Sequence, residues 1–549
     1  MAEHNGVGMI NKNIKWWAFL FAPSIFLLLV IGIPFIYVVI NFLSLNKISA
    51  FFGTGTLAML SRQAFINSFA QGIDSALLSL IIGFPLGLFI GRYALRYTRV
   101  LKSFIILPFF MPSIVVVLAF LSLFGKSSPL VEMIPLLHHL SSGFTGIIAI
   151  NTFFNAPLVA FLTSTNIERS HHGIEEASIL LGAGSFNRFV NIWGRNGIKG
   201  AVGGTILSFL YSFSGFAAPL IIGGPSNFTV ETWIYFVVKE ESLVQIGVIF
   251  GLLQSLFLII PLVIYLYIIS KQRPVDDLTY YRSERKKNRH QLSFTLGSIY
   301  VTLFIVFELA VFASIIISSI DIGWNSSINA NAYTDLFGRV SSSLDIPAYL
   351  PFINTIFYGV ATSIIVTSLG ILWITGKRRL NSKNDSIWDF MQYLSFIIPS
   401  IMMALSVSLL YEYIISPSFL WVLIIGVQSA VSIPVVLRVV SGGFSEIPSS
   451  LTDSSRILGG SPLFEVELPL AGSALATALM FGFALSLGEF TATNFLSTNT
   501  FMPLSVEIYS LQSLRLAAAS YAAASILMIM SFVFFFAIQK AGDRFIGIR

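Results

Sequence analysis

The sequence predicts an all-α integral membrane protein of about twelve transmembrane helices, built as two parallel six-helix repeats. Three observations carry that expectation: an apolar composition with long uncharged stretches, a one-sided distribution of Lys and Arg, and an internal repeat. Of 549 residues, 55% are hydrophobic and 11% are charged, with a mean hydropathy of +0.83. A soluble domain carries about a quarter charged residues, so most of this surface faces something other than water.

Crossing a bilayer takes about 20 consecutive apolar residues. In chain order such stretches lie at 17–42, 66–91, 103–124, 143–165, 200–222, 243–270, 292–320, 354–376, 391–413, 419–440, 470–494 and 517–539. The first is far longer than the roughly 7–15-residue apolar core of a secretory signal and no small-residue cleavage site follows it, so it reads as a retained helix. Gly83, Pro85 and Gly87 sit inside the second, where a membrane helix tolerates them. Cysteine is absent, which excludes a disulfide framework or a thiolate metal site.

The net charge of +6 belongs to topology rather than to nucleic acid. With the N-terminus inside, 26 of the 32 Lys and Arg fall at the termini and in alternate loops. Only Lys47, Arg62, Lys126, Lys239, Arg339 and Arg515 fall on the other side. The positive-inside rule then gives twelve spans with both termini cytoplasmic.

The repeat shows best near the end of each half. Ser212-Phe-Ser-Gly-Phe-Ala at 212–217 aligns with Ser486-Leu-Gly-Glu-Phe-Thr at 486–491, and the same offset brings Ile234-Tyr235 onto Ile508-Tyr509. Earlier, Ala64-Phe-Ile-Asn-Ser resembles Pro351-Phe-Ile-Asn-Thr. Six spans per repeat give both halves the same orientation, with a pathway expected between them. The expected organisation is a first half at 1–270, a basic cytoplasmic linker at 271–291 and a second half at 292–549.

Between the fourth and fifth stretches lies Glu175-Glu176-Ala177-Ser178-Ile-Leu-Leu-Gly182, with Ile192 ten residues after the glycine. The second half has Asp453-Ser454-Ser455-Arg-Ile-Leu-Gly459, then Val466-Glu-Leu468-Pro469, three residues shorter after its glycine. Acidic residues favour the N-terminal end of a short helix, small residues keep it slim, and glycine permits the turn back. Each segment resembles the Glu-Ala-Ala loop of binding-protein-dependent ABC importer permeases. The first copy has Gly194-Arg195 where that pattern has Leu-Pro, and the second has Asp-Ser-Ser for Glu-Ala-Ala.

The resemblance implies the fold of a type I importer permease in the plasma membrane, with these loops coupling it to two copies of an ATPase subunit. It also implies solute delivery by an extracytoplasmic binding protein, with no cofactor and no catalytic residue. No Gly-x-x-x-x-Gly-Lys-Ser/Thr phosphate cradle occurs, because Gly125-Lys126-Ser127 is preceded by Phe120 where the first glycine belongs. The engine is therefore expected on a separate chain. Fused halves are similar to thiamine and ferric-iron permeases. Gly223-Gly224-Pro225 and Thr229-Val-Glu231-Thr-Trp-Ile234-Tyr235 resemble the thiamine type, while Ser486-Leu-Gly488-Glu489-Phe490 is also similar to molybdate and sulfate permeases.

Glu489 falls inside the eleventh stretch, where a carboxylate costs about 2.5–3.5 kcal/mol on insertion scales and so faces the bundle or a watery cavity. It reads either as a pathway residue, with Ser486 and its counterpart Ser212, or as a structural carboxylate bonded to neighbouring helices. Glu308 in the seventh stretch reads as structural. His171-His172 with Glu175 reads as exposed loop polarity rather than a metal site, and His138-His139 as a solvated outer loop. Two rivals are weaker. A secondary transporter of two six-helix halves predicts charged residues in several spans and no paired loops, and an intramembrane enzyme needs a His, Asp or Glu cluster in the bilayer.

Overall fold

The computed structural model describes residues 16–43, 55–93, 98–168, 177–270, 292–320, 331–338, 347, 349–380, 391–411 and 414–546. Among them the regular structure is helical and no β-strand occurs. The helices that matter here, in chain order, are α1 (Trp16–Phe42), α2 (Thr56–Arg92), α3 (Thr98–Phe110), α4 (Ser113–Phe124), α5 (Gly143–Glu168) and α6 (Arg195–Phe213). There follow α7 (Val230–Lys239), α8 (Val244–Ser270), α9 (Leu292–Ile320), α10 (Leu350–Leu380), α11 (Ser400–Tyr411) and α12 (Leu420–Ser445). The last are α13 (Ser449–Ile457), α14 (Gly472–Gly488), α15 (Thr491–Leu496), α16 (Leu504–Ser513) and α17 (Ala517–Ile546).

Among the described residues, eight helices are long and apolar enough to cross a membrane, and two bent pairs bring the total to as many as ten. Four of the twelve expected stretches are bent, shortened or broken in the structure. The stretch at 103–124 turns by 109° between Phe104–Phe110 and Ser113–Phe124, because Pro112 supplies no N–H and disfavours helix at the residue before it. The stretch at 470–494 is a pair bent by 65°, Leu463–Leu470 with Gly472–Gly488. At 200–222, α6 carries Arg195 and Lys199 in its first turns and stops at Phe213, before Ser214 and Gly215. At 391–413, Pro399 separates a one-turn helix at Leu394–Ile397 from α11.

The chain forms two compact units, Leu45–Asn329 and Met1–Ser44 with Ala330–Arg549. The first is contiguous in sequence and the second is composite. This division follows packing, whereas the expected 1–270 and 292–549 follow the sequence repeat, and the linker at 271–291 lies outside the described residues. The opening helix of each sequence half packs in the other unit.

In the contiguous unit, α9 lies against α2 and α4. Tyr300 Oη donates to Ile82 O at 3.0 Å, and Ser122 Oγ of α4 donates to Ser314 O at 2.9 Å. The core of this unit is the pairing of α2 with α5. Ser75, Ser79, Gly83, Gly87 and Gly91 recur every fourth residue, which sets them in one stripe along α2. A Cβ on Gly83 would stand 2.4 Å from Ala156 O, and one on Gly87 would stand 2.5 Å from Ala160 O. Backbones approach this closely only when small residues line the contact, the usual basis of helix association where lipid removes the hydrophobic drive. In the composite unit, α1 packs on α11, where Tyr411 Oη donates to Leu29 O at 2.9 Å.

Candidate functional site

The two loops singled out in the sequence fold alike. Glu175 and Glu176 lie outside the described residues; Ala177 and Ser178 open a helical turn that ends at Gly182. The Gly182 N–H donates to Ile179 O at 3.0 Å and the Ala183 N–H to Ser178 O at 2.9 Å. In the second loop, α13 ends with the Gly459 N–H on Arg456 O at 3.1 Å and the Gly460 N–H on Ser455 O at 2.9 Å. Both are Schellman ends, and both glycines take the left-handed conformation they require, with φ of +76° at Gly182 and +79° at Gly459. Asp453 pairs with Arg456 at 2.9 Å on the exposed side of α13, and Ser454 donates to Ser450 O.

Just before each glycine stand two apolar side chains in the open. Leu180 and Leu181 are each 87% exposed, and Ile457 and Leu458 are 85% and 86% exposed. Among the described residues these four are the most exposed large apolar side chains. In the second loop an open cleft of about 660 Å³ lies beside the tip, lined by Leu451, Ser455, Leu458, Glu465, Val466 and Pro469. Beyond each turn the chain re-enters through a π-helix, Phe189–Gly194 in one loop and Leu463–Glu467 in the other. Such π segments are rare and concentrate at functional positions.

The residues proposed for a pathway lie in a polar cluster within each unit. In the contiguous unit, Gln71 Nε2 donates to Ser212 O at 2.6 Å, Asn151 Nδ2 to Gln71 Oε1 at 2.9 Å, and Asn155 Nδ2 to Ser212 Oγ at 3.0 Å. In the composite unit, Ser486 Oγ donates to Gln428 Oε1 at 2.6 Å, and Gln428 Nε2 donates to Thr493 Oγ1 at 3.0 Å. Thr493 Oγ1 in turn donates to Glu489 Oε2 at 2.6 Å. The Glu489 carboxylate also accepts the Ala492 N–H at 2.9 Å and the Thr493 N–H at 3.0 Å. It therefore closes the N-terminus of α15 immediately after the break at the end of α14. Ser212 and Ser486 sit at the matching break in each half, and an amide side chain holds each one.

Sequence reasoning missed Gln71, Asn151, Asn155, Gln428 and Thr493. For the four Asn and Gln the signal was available, since an amide inside an apolar stretch is expensive unless it is bonded; the hydroxyl of Thr493 gave none. Among the described residues no group of three or more His, Asp or Glu could hold a metal ion. His171, His172 and Glu175 lie outside those residues, and His138 Nδ1 lies 3.4 Å from Phe124 O in a short 3-10 helix. Glu308 is buried on α9 with both carboxylate oxygens unbonded among the described residues.

A family model described as the inner membrane component of binding-protein-dependent transport systems matches residues 83–273 and again residues 366–547. The chain belongs to this family. The permease is similar to the ferric transport system permease protein FbpB of Actinobacillus pleuropneumoniae, at 24% identity over 80% of this chain and 64% of that protein. It is also similar to a putative ferric transport system permease protein of Haemophilus influenzae, at 25% identity over 77% of this chain and 68% of that one. The thiamine transport system permease protein ThiP of Escherichia coli is 25% identical over 87% of this chain and 88% of its own length. The permease thus spans just under two thirds of the Actinobacillus relative. The two family matches cover the two loops, one in each, and bring both tips into the part of the chain that defines the family.

Proposed function

We propose that the permease is the transmembrane subunit of an ATP-driven importer with twelve crossings and both termini cytoplasmic, driven through residues 177–182 and 453–459 by two copies of a separate ATPase subunit. One observation carries this reading: two loops of different sequence end in the same left-handed glycine behind the same pair of exposed aliphatic residues. Equal tips suit equal grooves, as two copies of one ATPase would offer. Ala177, Ser178, Asp453, Ser454 and Ser455 form the body of the docking helices, Gly182 and Gly459 form their turns, and Glu175 and Glu176 belong to the same motif in the sequence. Solute arrives on an extracytoplasmic binding protein. The relatives' names favour thiamine or ferric iron as its class.

Ser212, Ser486 and Glu489 shape the breaks that line the path rather than grip the solute, because each is already hydrogen-bonded within its unit. Single cysteines at 181 and 458 in this cysteine-free chain test the reading. Both should cross-link to a copurified ATPase whose hydrolysis responds to binding protein, and neither should react with an impermeant maleimide from outside. Labelling from outside would overturn the topology, and no cross-link at either tip would overturn the docking. Uptake of labelled thiamine against labelled ferric iron in the same vesicles decides the solute.

A further inference from the structure

Arg378 and Arg379, at the inner end of α10, hold both arms of the second docking loop. Arg378 Nη1 donates to Phe444 O at 2.8 Å, a carbonyl in the last turn of α12 on the way into α13. Arg379 Nη2 lies 2.8 Å from Glu467 Oε2, on the π-helix that leads out. Glu467 is 2% exposed and Arg379 8%, so this ion pair is shielded from water and its geometry is confined. The Arg379 guanidinium also lies over the Trp16 ring of α1, 5.6 Å from its centre.

The outer end of α10 is fastened as well. Asn354 Nδ2 donates to Thr500 O at 3.1 Å and Met502 O at 3.0 Å, and the Leu504 N–H donates to Thr355 Oγ1 at 2.8 Å. These bonds seize the segment just beyond α15.

The same construction occurs in the contiguous unit on α2. Asn67 Nδ2 donates to Ser226 O and Phe228 O, both at 3.0 Å, and the Val230 N–H donates to Ser68 Oγ at 2.9 Å. Asn67 matches Asn354, and Ser226, Phe228 and Val230 match Thr500, Met502 and Leu504 in the repeat. At the inner end, Arg92 matches Arg379 and Trp193 matches Glu467, and the Arg92 guanidinium lies 5.5 Å from the centre of the Trp193 ring. One half thus uses a cation on an aromatic face where the other uses an ion pair. In each helix Asn and Arg are 25 residues apart, roughly 38 Å along the axis at 1.5 Å per residue.

We propose that α2 and α10 are connecting rods. Each is bolted at its inner end to the chain leaving a docking loop and at its outer end to the segment beyond the break, so it carries the loop's displacement across the membrane. Arg379 with Glu467, and Arg92 with Trp193, are positioning residues for this transfer. The proposal rests on the docking assignment above. It adds the path by which docking reaches the far side.

The test uses the full chain with its ATPase in vesicles, and needs no solute. A single cysteine at Asn499, on the exposed outer segment, reports its labelling rate by an impermeant maleimide with and without ATP and vanadate. A second reporter at Ser454, on α13, monitors the docking loop. Arg379→Gln should cut the nucleotide response at 499 by about threefold or more while the response at 454 persists. The charge-swapped pair Arg379→Glu with Glu467→Arg should restore it. An unchanged response at 499 in Arg379→Gln overturns the rod, as does a charge swap no better than the single variants at equal melting temperature. Loss of the response at 454 as well would make the pair a support of the docking loop only, and also overturns it. If the unsubstituted chain responds at neither position, the docking assignment itself fails. Should Arg379→Gln not fold, Arg92→Gln with a reporter at Ser226 puts the same question to α2, where a preserved response counts against the rod.

Discussion

At Gly182 and Gly459 a Cβ would meet nothing within 4 Å, so bulk is not what these positions exclude. The constraint is the backbone, which at positive φ costs an ordinary residue about 1–2 kcal/mol and Asn less. Gly459→Asn should therefore keep most uptake and Gly459→Val should lose most of it, at similar amounts of folded protein. Equal uptake from the two variants would refute the argument. Glu489 yields a second expectation. Both carboxylate oxygens accept N–H groups, so Glu489→Gln turns an amide N–H₂ toward at least one of those donors and is not a mild change. Stranding buried donors costs about 1–3 kcal/mol each. Glu489→Gln and Glu489→Ala should both lower the melting temperature, the Ala variant further. A Gln variant as stable as the parent with altered uptake would instead place the carboxylate in contact with solute.

Helix α2 shows what a repeating small residue does. Gly87→Val should sharply lower the yield and melting temperature of the permease, since its side chain would be driven into Ala160 O and Thr163. Gly203→Ala is the control, because its Cβ would meet only Tyr265 at 4.0 Å. Similar melting temperatures for the two variants would show that the close approach is not what holds α2 to α5. The glycines were legible in the sequence as tolerable in a membrane, but their partner was not. Hydropathy reports how far each stretch avoids water and says nothing of which neighbour it meets. The same limit explains the bent helices: Pro112 and Pro399 were readable as breakers, whereas the angle at a break is set by packing. The two glycine turns were legible because glycine and helix end are both local, and the Arg379–Glu467 pair was not, because its members are distant in sequence.

Over the whole molecule, the two compact units cut across the sequence halves. Fragment 1–270 lacks α9, whose Ser314 and Tyr300 satisfy Ser122 and the Ile82 carbonyl. Fragment 271–549 lacks α1 beneath Tyr411. Expressed alone, each fragment should be unstable to proteolysis, and expressed together they should copurify and melt in one step. Two fragments independently stable would contradict the exchange of helices. The apolar stretches were legible as membrane-helix candidates, eight to ten of which the described residues bear out, but which unit α1 and α9 pack in was not, since nothing local marks a helix's partner. The exchange also has a consequence in time. Chains emerge at roughly 5–20 residues per second, so the contiguous unit can finish as soon as α9 is made, while α1 waits on the order of 20–80 seconds for α11 and α12. During that interval α1 is a lone helix in lipid whose future contact face, at Leu20, Leu27 and Ile31, is uncovered. The order of synthesis therefore makes the first helix wait longest for its partners, and a chain that stalls just beyond α9 leaves one unit whole and the other with only α1 made.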